Sequence, residues 1–192
     1  MARASVFIDG GYLKALLKTL FGEPRIDFGK IGPYLAGTDE LVRTYYFYAP
    51  PYKSPHRPTK EELERYQRYE SFVTSLRRLP RFQIIEGSLK KRRCSTCNAM
   101  NFVQKGVDVK LAIELLVQAQ TRHIERAVLL AGDGDLVPAV AETKRLGVQV
   151  ILWHARRAVP APGVRVTVDD SLWSQCDERH EITLDDISAL RL

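Results

Sequence analysis

"LLAGDGDLVPAV", residues 129–140, decides the fold. An apolar run of β type stops at Asp133, one glycine follows, and Asp135 opens a stretch with helical spacing. That is a buried strand turning into a helix, the half-unit of a parallel α/β sheet. A core has no use for two carboxylates at a strand's end, and so close together they repel.

The same alternation extends in both directions. "AVLLA" (127–131) is the strand, "LVPAVAETKRL" (136–146) the helix closed by Gly147, and "VQVILW" (148–153) the next strand. Near the N-terminus "ASVFI" (4–8) reads as a strand, and "GYLKALLKTLF" (11–21) follows with Leu13, Leu16, Leu17 and Leu20 at helical spacing. "LVRTYYFYA" (41–49) and "FQIIEG" (82–87) are further strands. Tyr45, Tyr46 and Tyr48 are read as packing residues of the first of these.

Between them Thr59 and Glu62 make a capping box ahead of a long helix. Its apolar positions run from Leu63 through Tyr66, Tyr69, Phe72, Val73 and Leu76 to Leu79. Another helix begins near Val107. "IDFGKIGPYLAG" (26–37) has helical features weakened by Gly29, Gly32 and Pro33, and "VRVTV" (164–168) has the alternation of a sixth strand. No repeat, low-complexity tract or long linker appears. The expectation is one doubly wound, mostly parallel sheet with helices on both faces, a three-layer α/β/α sandwich of Rossmann-like design.

The 192 residues suit one such domain, with residues 1–153 as its body and 154–192 as an extension packed on it. Lys and Arg number 29 against 23 Asp and Glu, a net charge of +6 that permits an anionic partner such as nucleic acid. Cys94, Cys97 and Cys176 form no disulfide framework, and Asp9 falls where a signal peptide would need apolar residues. No apolar run approaches the ~20 residues of a membrane span. A soluble, cytoplasmic protein without membrane contact is expected.

In a doubly wound sheet the carboxyl ends of the strands share one crevice, where ligands bind. Asp9 lies just past the first strand, and Asp133 and Asp135 just past the strand of residues 127–131. Asp108, in the first turn of "VDVKLAIELL", reaches the same edge. Each acid has a plain structural role open to it: Asp135 as an N-cap, Asp108 as a first-turn acid favoured by the helix dipole. Asp9 and Asp133, each followed by glycine, are harder to read as caps. Together the four suit Mg²⁺ or Mn²⁺, which take oxygen ligands and relieve the repulsion between carboxylates.

"VFIDGGYL", "KGVDVKLAIELL" and "LLAGDGDLVPAVAETKRLGVQVIL" together resemble the NYN domain, LabA-like subgroup, of the PIN-like nuclease superfamily. The resemblance covers residues 4–153. It implies a PIN-like sandwich and metal-dependent cleavage of RNA phosphodiester bonds, with Asp9, Asp108, Asp133 and Asp135 as catalytic and metal-binding acids. Glu114 matches a position that is often acidic, yet at i+6 from Asp108 it lies off that helical face. Many members carry Asn where this chain has Tyr12, so a polar contact there is absent or replaced by base stacking.

Basic residues surround these acids in the sequence. Lys90, Lys91, Arg92 and Arg93 form the densest cluster, Lys105 and Lys110 flank Asp108, and Arg156 and Arg157 follow the strand of residues 148–153. Cations that grip a phosphate backbone beside a metal centre suit an RNA partner. "CSTC" (94–97) supplies half of a four-coordinate zinc site. Cys176, His123, His154 or His180 would complete it, or a second copy of the chain would bring its own Cys94 and Cys97 in a homodimer; otherwise the two thiols stay free.

Other chemistries fit less well. A non-catalytic RNA-binding module keeps every feature except turnover, and a phosphotransferase would use Asp133-Gly134-Asp135 as its metal motif. A haloacid-dehalogenase-type phosphatase needs an acid at Gly11. An EF-hand starting at Asp133 meets Val137 and Lys144 at ligand positions, and no P-loop occurs. The scattered histidines give no nucleophile–base pair.

Overall fold

The computed structural model describes residues 1–93, 100–155 and 166–192. In chain order the elements are β1 (Arg3–Asp9), α1 (Gly10–Leu20), α2 (Phe28–Ala36), β2 (Glu40–Tyr48), α3 (Lys60–Leu76) and β3 (Phe82–Glu86). There follow β4 (Ser88–Arg93), β5 (Met100–Lys105), α4 (Val107–Gln120) and β6 (Arg126–Leu130). A 3₁₀ turn (Gly134–Leu136), α5 (Val137–Arg145), β7 (Gln149–His154), α6 (Asp170–Gln175), β8 (Glu178–Glu181) and α7 (Leu184–Leu190) complete the described chain.

Six strands form one sheet in the order β3-β2-β1-β6-β7-β8, every neighbour parallel. The chain winds outward from β1 to β3, then returns beside β1 and winds the other way. That reversal opens a crevice between the carboxyl ends of β1 and β6. Apolar runs such as Val6-Phe7-Ile8 are buried because both faces of a parallel sheet are covered. Phe7 joins the core under α4, α5 and α6, whereas Val6 and Ile8 join the core under α1, α2, α3 and α7. Two helical layers thus enclose the sheet, a three-layer α/β sandwich.

Local rules account for most of the elements. Thr59 and Glu62 form a reciprocal capping box on α3. α2 forms despite its glycines and Pro33: Asp27 caps it, and Gly32 packs so closely that an added Cβ would lie 2.0 Å from Thr44 Oγ1. Gly147 closes the α5 turn at φ +87, as a left-handed position requires.

Three features depart from the sequence reading. Residues 166–168 are not a strand, and the sixth strand is β8, "ERHE", which pairs with β7 at the sheet edge. Its polar composition carries no strand pattern; main-chain pairing to β7 makes it one. α3 ends at Leu76, short of Leu79. The basic stretch after β3 is strand β4, paired antiparallel with β5 in a separate two-stranded ribbon.

Gly10, the first residue of α1, shows how tightly this edge is packed. A Cβ there would lie 2.5 Å from Cζ of the buried Tyr46 and 2.9 Å from the Phe47 carbonyl oxygen. Gly10→Ala is therefore expected to destabilise the fold by about 1–3 kcal/mol, more than alanine's helix preference returns. Urea denaturation measures this directly; an unchanged midpoint would show that Tyr46 moves aside.

Candidate active site

The open cleft at the β1/β6 reversal is lined by Asp9, Asp108 and Asp133, together with Asp169 and the ring of Tyr12. Asp9 ends β1 and caps α1: its Oδ1 accepts hydrogen bonds from the amides of Gly11 (2.8 Å) and Tyr12 (3.1 Å). Asp133 caps the 3₁₀ turn, its Oδ1 accepting from the amide of Asp135 at 2.9 Å. Contrary to the sequence reading, Asp9 and Asp133 are the capping acids, whereas Asp135 is exposed, outside the cleft lining, and α5 has no side-chain cap. Capping and ligand duties are compatible, since each carboxylate has a second oxygen.

The electrostatics tie the acids together. Asp9 is buried, and its pKa rises to about 6, first through burial and then through the charges of Asp108 and Asp133, against the pull of its two amide bonds. Asp108 is also raised, by burial and then by Asp133 and Asp135. Asp135 therefore belongs to the same field although it does not line the cleft.

Two glycines flank Asp133 because other chain segments close over them. A Cβ on Gly132 would lie 2.3 Å from Tyr12 Cε2 and 2.8 Å from the Thr167 carbonyl oxygen. One on Gly134 would lie 2.7 Å from Asp169 Cγ, and the Asp169 amide donates to the Gly132 carbonyl at 2.9 Å. Tyr12 braces the far wall, its hydroxyl accepting from the Ala155 amide at 2.8 Å. The ring rests on glycine, one wall of the cleft.

Asp169 is a further acid that the sequence reading misses. Bonds from the Ser171 hydroxyl and amide hold its pKa below the usual value, and they cap α6. "VTVDDSLW" carries an N-cap signature at Asp169, but its apolar alternation reads as a strand and hides it.

The basic residues divide. Lys105 is exposed, and Lys110 donates from Nζ to the Glu86 carbonyl at 2.6 Å. Lys90, Lys91, Arg92 and Arg93 pair through β4 with Val103, Phe102, Asn101 and Met100. Glu114 accepts from Gln118 one turn further along α4 and does not line the cleft. Cys94, Cys97, Arg156 and Arg157 lie outside the described residues. Cys176 is buried in the core beneath α4, and the buried His154 sets Nδ1 2.7 Å from the Ala155 carbonyl.

Among the described residues no group of three or more His, Cys, Asp or Glu side chains forms a ready-made metal cage. The donor set nonetheless suits a hard divalent cation, for it consists of carboxylates only. After burial, the charges of Asp108 and Asp133 raise the pKa of Asp9, while those of Asp133 and Asp135 raise that of Asp108. A cation would reverse that penalty.

Six parallel strands between two helical layers, with the reversal at the acidic cleft, define a PIN-like α/β protein. The chain belongs to the NYN domain family, whose model matches residues 3–183, and so to the PIN-like nuclease superfamily. A crystal structure of a protein of unknown function from Vibrio parahaemolyticus is similar in fold, with a TM-score of 0.65 at 17% sequence identity. The similarity covers 100% of this chain and 96% of that one. No curated protein matches. No helix among the described residues is long and apolar enough to cross a membrane.

Proposed function

We propose that the protein is a metal-dependent endoribonuclease of the LabA-like branch, acting through Asp9, Asp108, Asp133 and Asp135. The observation that carries this reading is the gathering of Asp9, Asp108 and Asp133 in one cleft at the sheet's reversal point, where burial first and neighbouring carboxylates second raise Asp9 and Asp108. The three cleft acids would hold Mg²⁺ or Mn²⁺, and Asp135 would add its charge to the same field. A bound ion of this kind lowers the pKa of a water and neutralises charge developing on a phosphate.

The protein's own groups do the remaining work. Asp9 and Asp133 are fixed by amide bonds through one oxygen, which sets the direction of the other. Tyr12, held by the Ala155 amide, gives a wall against which a base can rest. Lys105 and Lys110, on either side of Asp108, and the β4 residues Lys90, Lys91, Arg92 and Arg93 offset the acids' repulsion of an RNA backbone. Residues 154–192 act as part of this domain, since Thr167 and Asp169 border the cleft.

Purified protein should cut RNA in a Mn²⁺ or Mg²⁺ titration and stop in EDTA, with DNA as the comparison substrate. Cleavage that persists after exhaustive chelation would sink the metal assignment. The second reading, an RNA-binding module without turnover, is favoured by the lack of a ready-made cage among the described residues. It predicts retained RNA binding and no products at any metal concentration.

A further inference from the structure

We propose that a second pocket, between α1 and α3, holds an unpaired base of the same RNA strand whose phosphate enters the acidic cleft; this rests on the ribonuclease reading. α1 separates the two openings. Gly11, Tyr12 and Ala15 face the cleft, whereas Leu13, Lys14 and Leu17 face the pocket. At 3.6 residues per turn these sets lie on opposite sides of one helix, so only its ~10 Å width divides them. The cleft lies on the β6 side of β1, and the pocket on the β2 side, against Tyr46 and Tyr48. Pro51, just past the end of β2, puts one wall at the sheet's carboxyl edge.

The pocket's chemistry is that of a flat ring with an anion attached. Tyr46, Tyr48 and Tyr69 run as near-parallel rings: centroids are 6.0 Å apart at 16° for the first pair and 5.8 Å at 25° for the second. Phe72 meets Tyr46 edge-on at 6.3 Å. Lys14, Arg65 and Arg68, all exposed, supply three cations at the rim against one lining acid, Glu23. Tyr46 and Tyr69 are buried behind Tyr48, and the part-exposed rings of Tyr48 and Phe72 meet the ligand. An aliphatic ligand would leave those rings without a matching plane, and an uncharged aromatic would leave the cations unused. A nucleotide satisfies both, because any base stacks and its phosphate meets the arginines.

The test uses the whole protein in EDTA, so that cutting does not intervene. A six-nucleotide single-stranded RNA carries 2-aminopurine at each position in turn. Quenching at one position is expected, and Tyr48→Ala should remove it. Arg65→Ala with Arg68→Ala should weaken binding about 10-fold, and being exposed these two changes leave the fold intact. No quenched position, or unchanged affinity in the double variant, would overturn the pocket whether or not Mn²⁺ allows cleavage. Quenching in a protein that never cuts RNA would remove the ribonuclease reading and leave the pocket standing.

Discussion

Asp133→Asn is expected to lower RNA cleavage by more than about 100-fold, with native circular dichroism. Losing a partner that only orients a metal ligand costs about 10–100-fold, so losing the ligand itself should exceed that range. Asn keeps the side-chain oxygen that accepts the Asp135 amide, so the 3₁₀ turn survives. The carboxylate's charge is the only thing removed. Asp108→Asn should behave alike, whereas Glu114→Gln should cut at nearly the wild-type rate, because Glu114 is directed at Gln118. Equal cleavage by wild type and Asp133→Asn in matched Mn²⁺ would place the reaction elsewhere.

The second large effect concerns stability, and it runs opposite to activity. The folded pKa of Asp9 is about 6, against an ordinary value of 3.8. Between those values the native state binds more protons than the unfolded chain, so this group's contribution falls as pH rises through that window. Above pH 6 the ionised carboxylate costs the metal-free native state about 2–3 kcal/mol, because each tenfold gain in proton affinity on folding is worth about 1.36 kcal/mol. Asp9→Asn removes that penalty and preserves the α1 cap, since Asn caps as well as Asp. In EDTA the variant should exceed wild type by about 2–3 kcal/mol at pH 7.5 and by almost nothing near pH 4. The difference between the two proteins isolates Asp9 from every other titrating group.

Added Mn²⁺ should reverse the order. A cation at about 1,000 times its dissociation constant stabilises only the protein that binds it, by about 4.1 kcal/mol, which exceeds the variant's lead of about 2–3 kcal/mol. Urea midpoints with and without Mn²⁺ give the answer. If Asp9→Asn is less stable than wild type in EDTA at pH 7.5, the carboxylate has a supporting role, and the electrostatic picture of the cleft is wrong.

What could be read from the sequence, and what could not, follows from where the forces act. Asp9 and Asp133 stand out because buried strands end at them and glycine follows, a pattern with few structural explanations. The parallel sheet is visible for the same reason: strands covered on both faces are apolar throughout. β8 leaves no such mark, since an edge strand held by main-chain pairing needs no apolar side chains. Asp169 is hidden in another way. Its approach to Gly134 depends on where the chain returns after β7, a tertiary fact absent from local spacing. The role of Asp133 as a cap escapes local reading because the 3₁₀ turn before α5 shifts the helix start beyond Asp135.

Tyr12 shows both limits together. Composition marks it only as an aromatic residue near an acid, whereas the fold sets its hydroxyl on the Ala155 amide and its ring on Gly132. No glycine-to-alanine tolerance at residue 132 is to be expected while that ring stays in place.

The most direct measurement is the anomalous difference map of a crystal grown with Mn²⁺ at pH 7.5, above the pKa of Asp9. A peak bridged by carboxylate oxygens of Asp9, Asp108 and Asp133 is the expected result. A map with no peak in that cleft, at a Mn²⁺ concentration that supports RNA cleavage in solution, would contradict it.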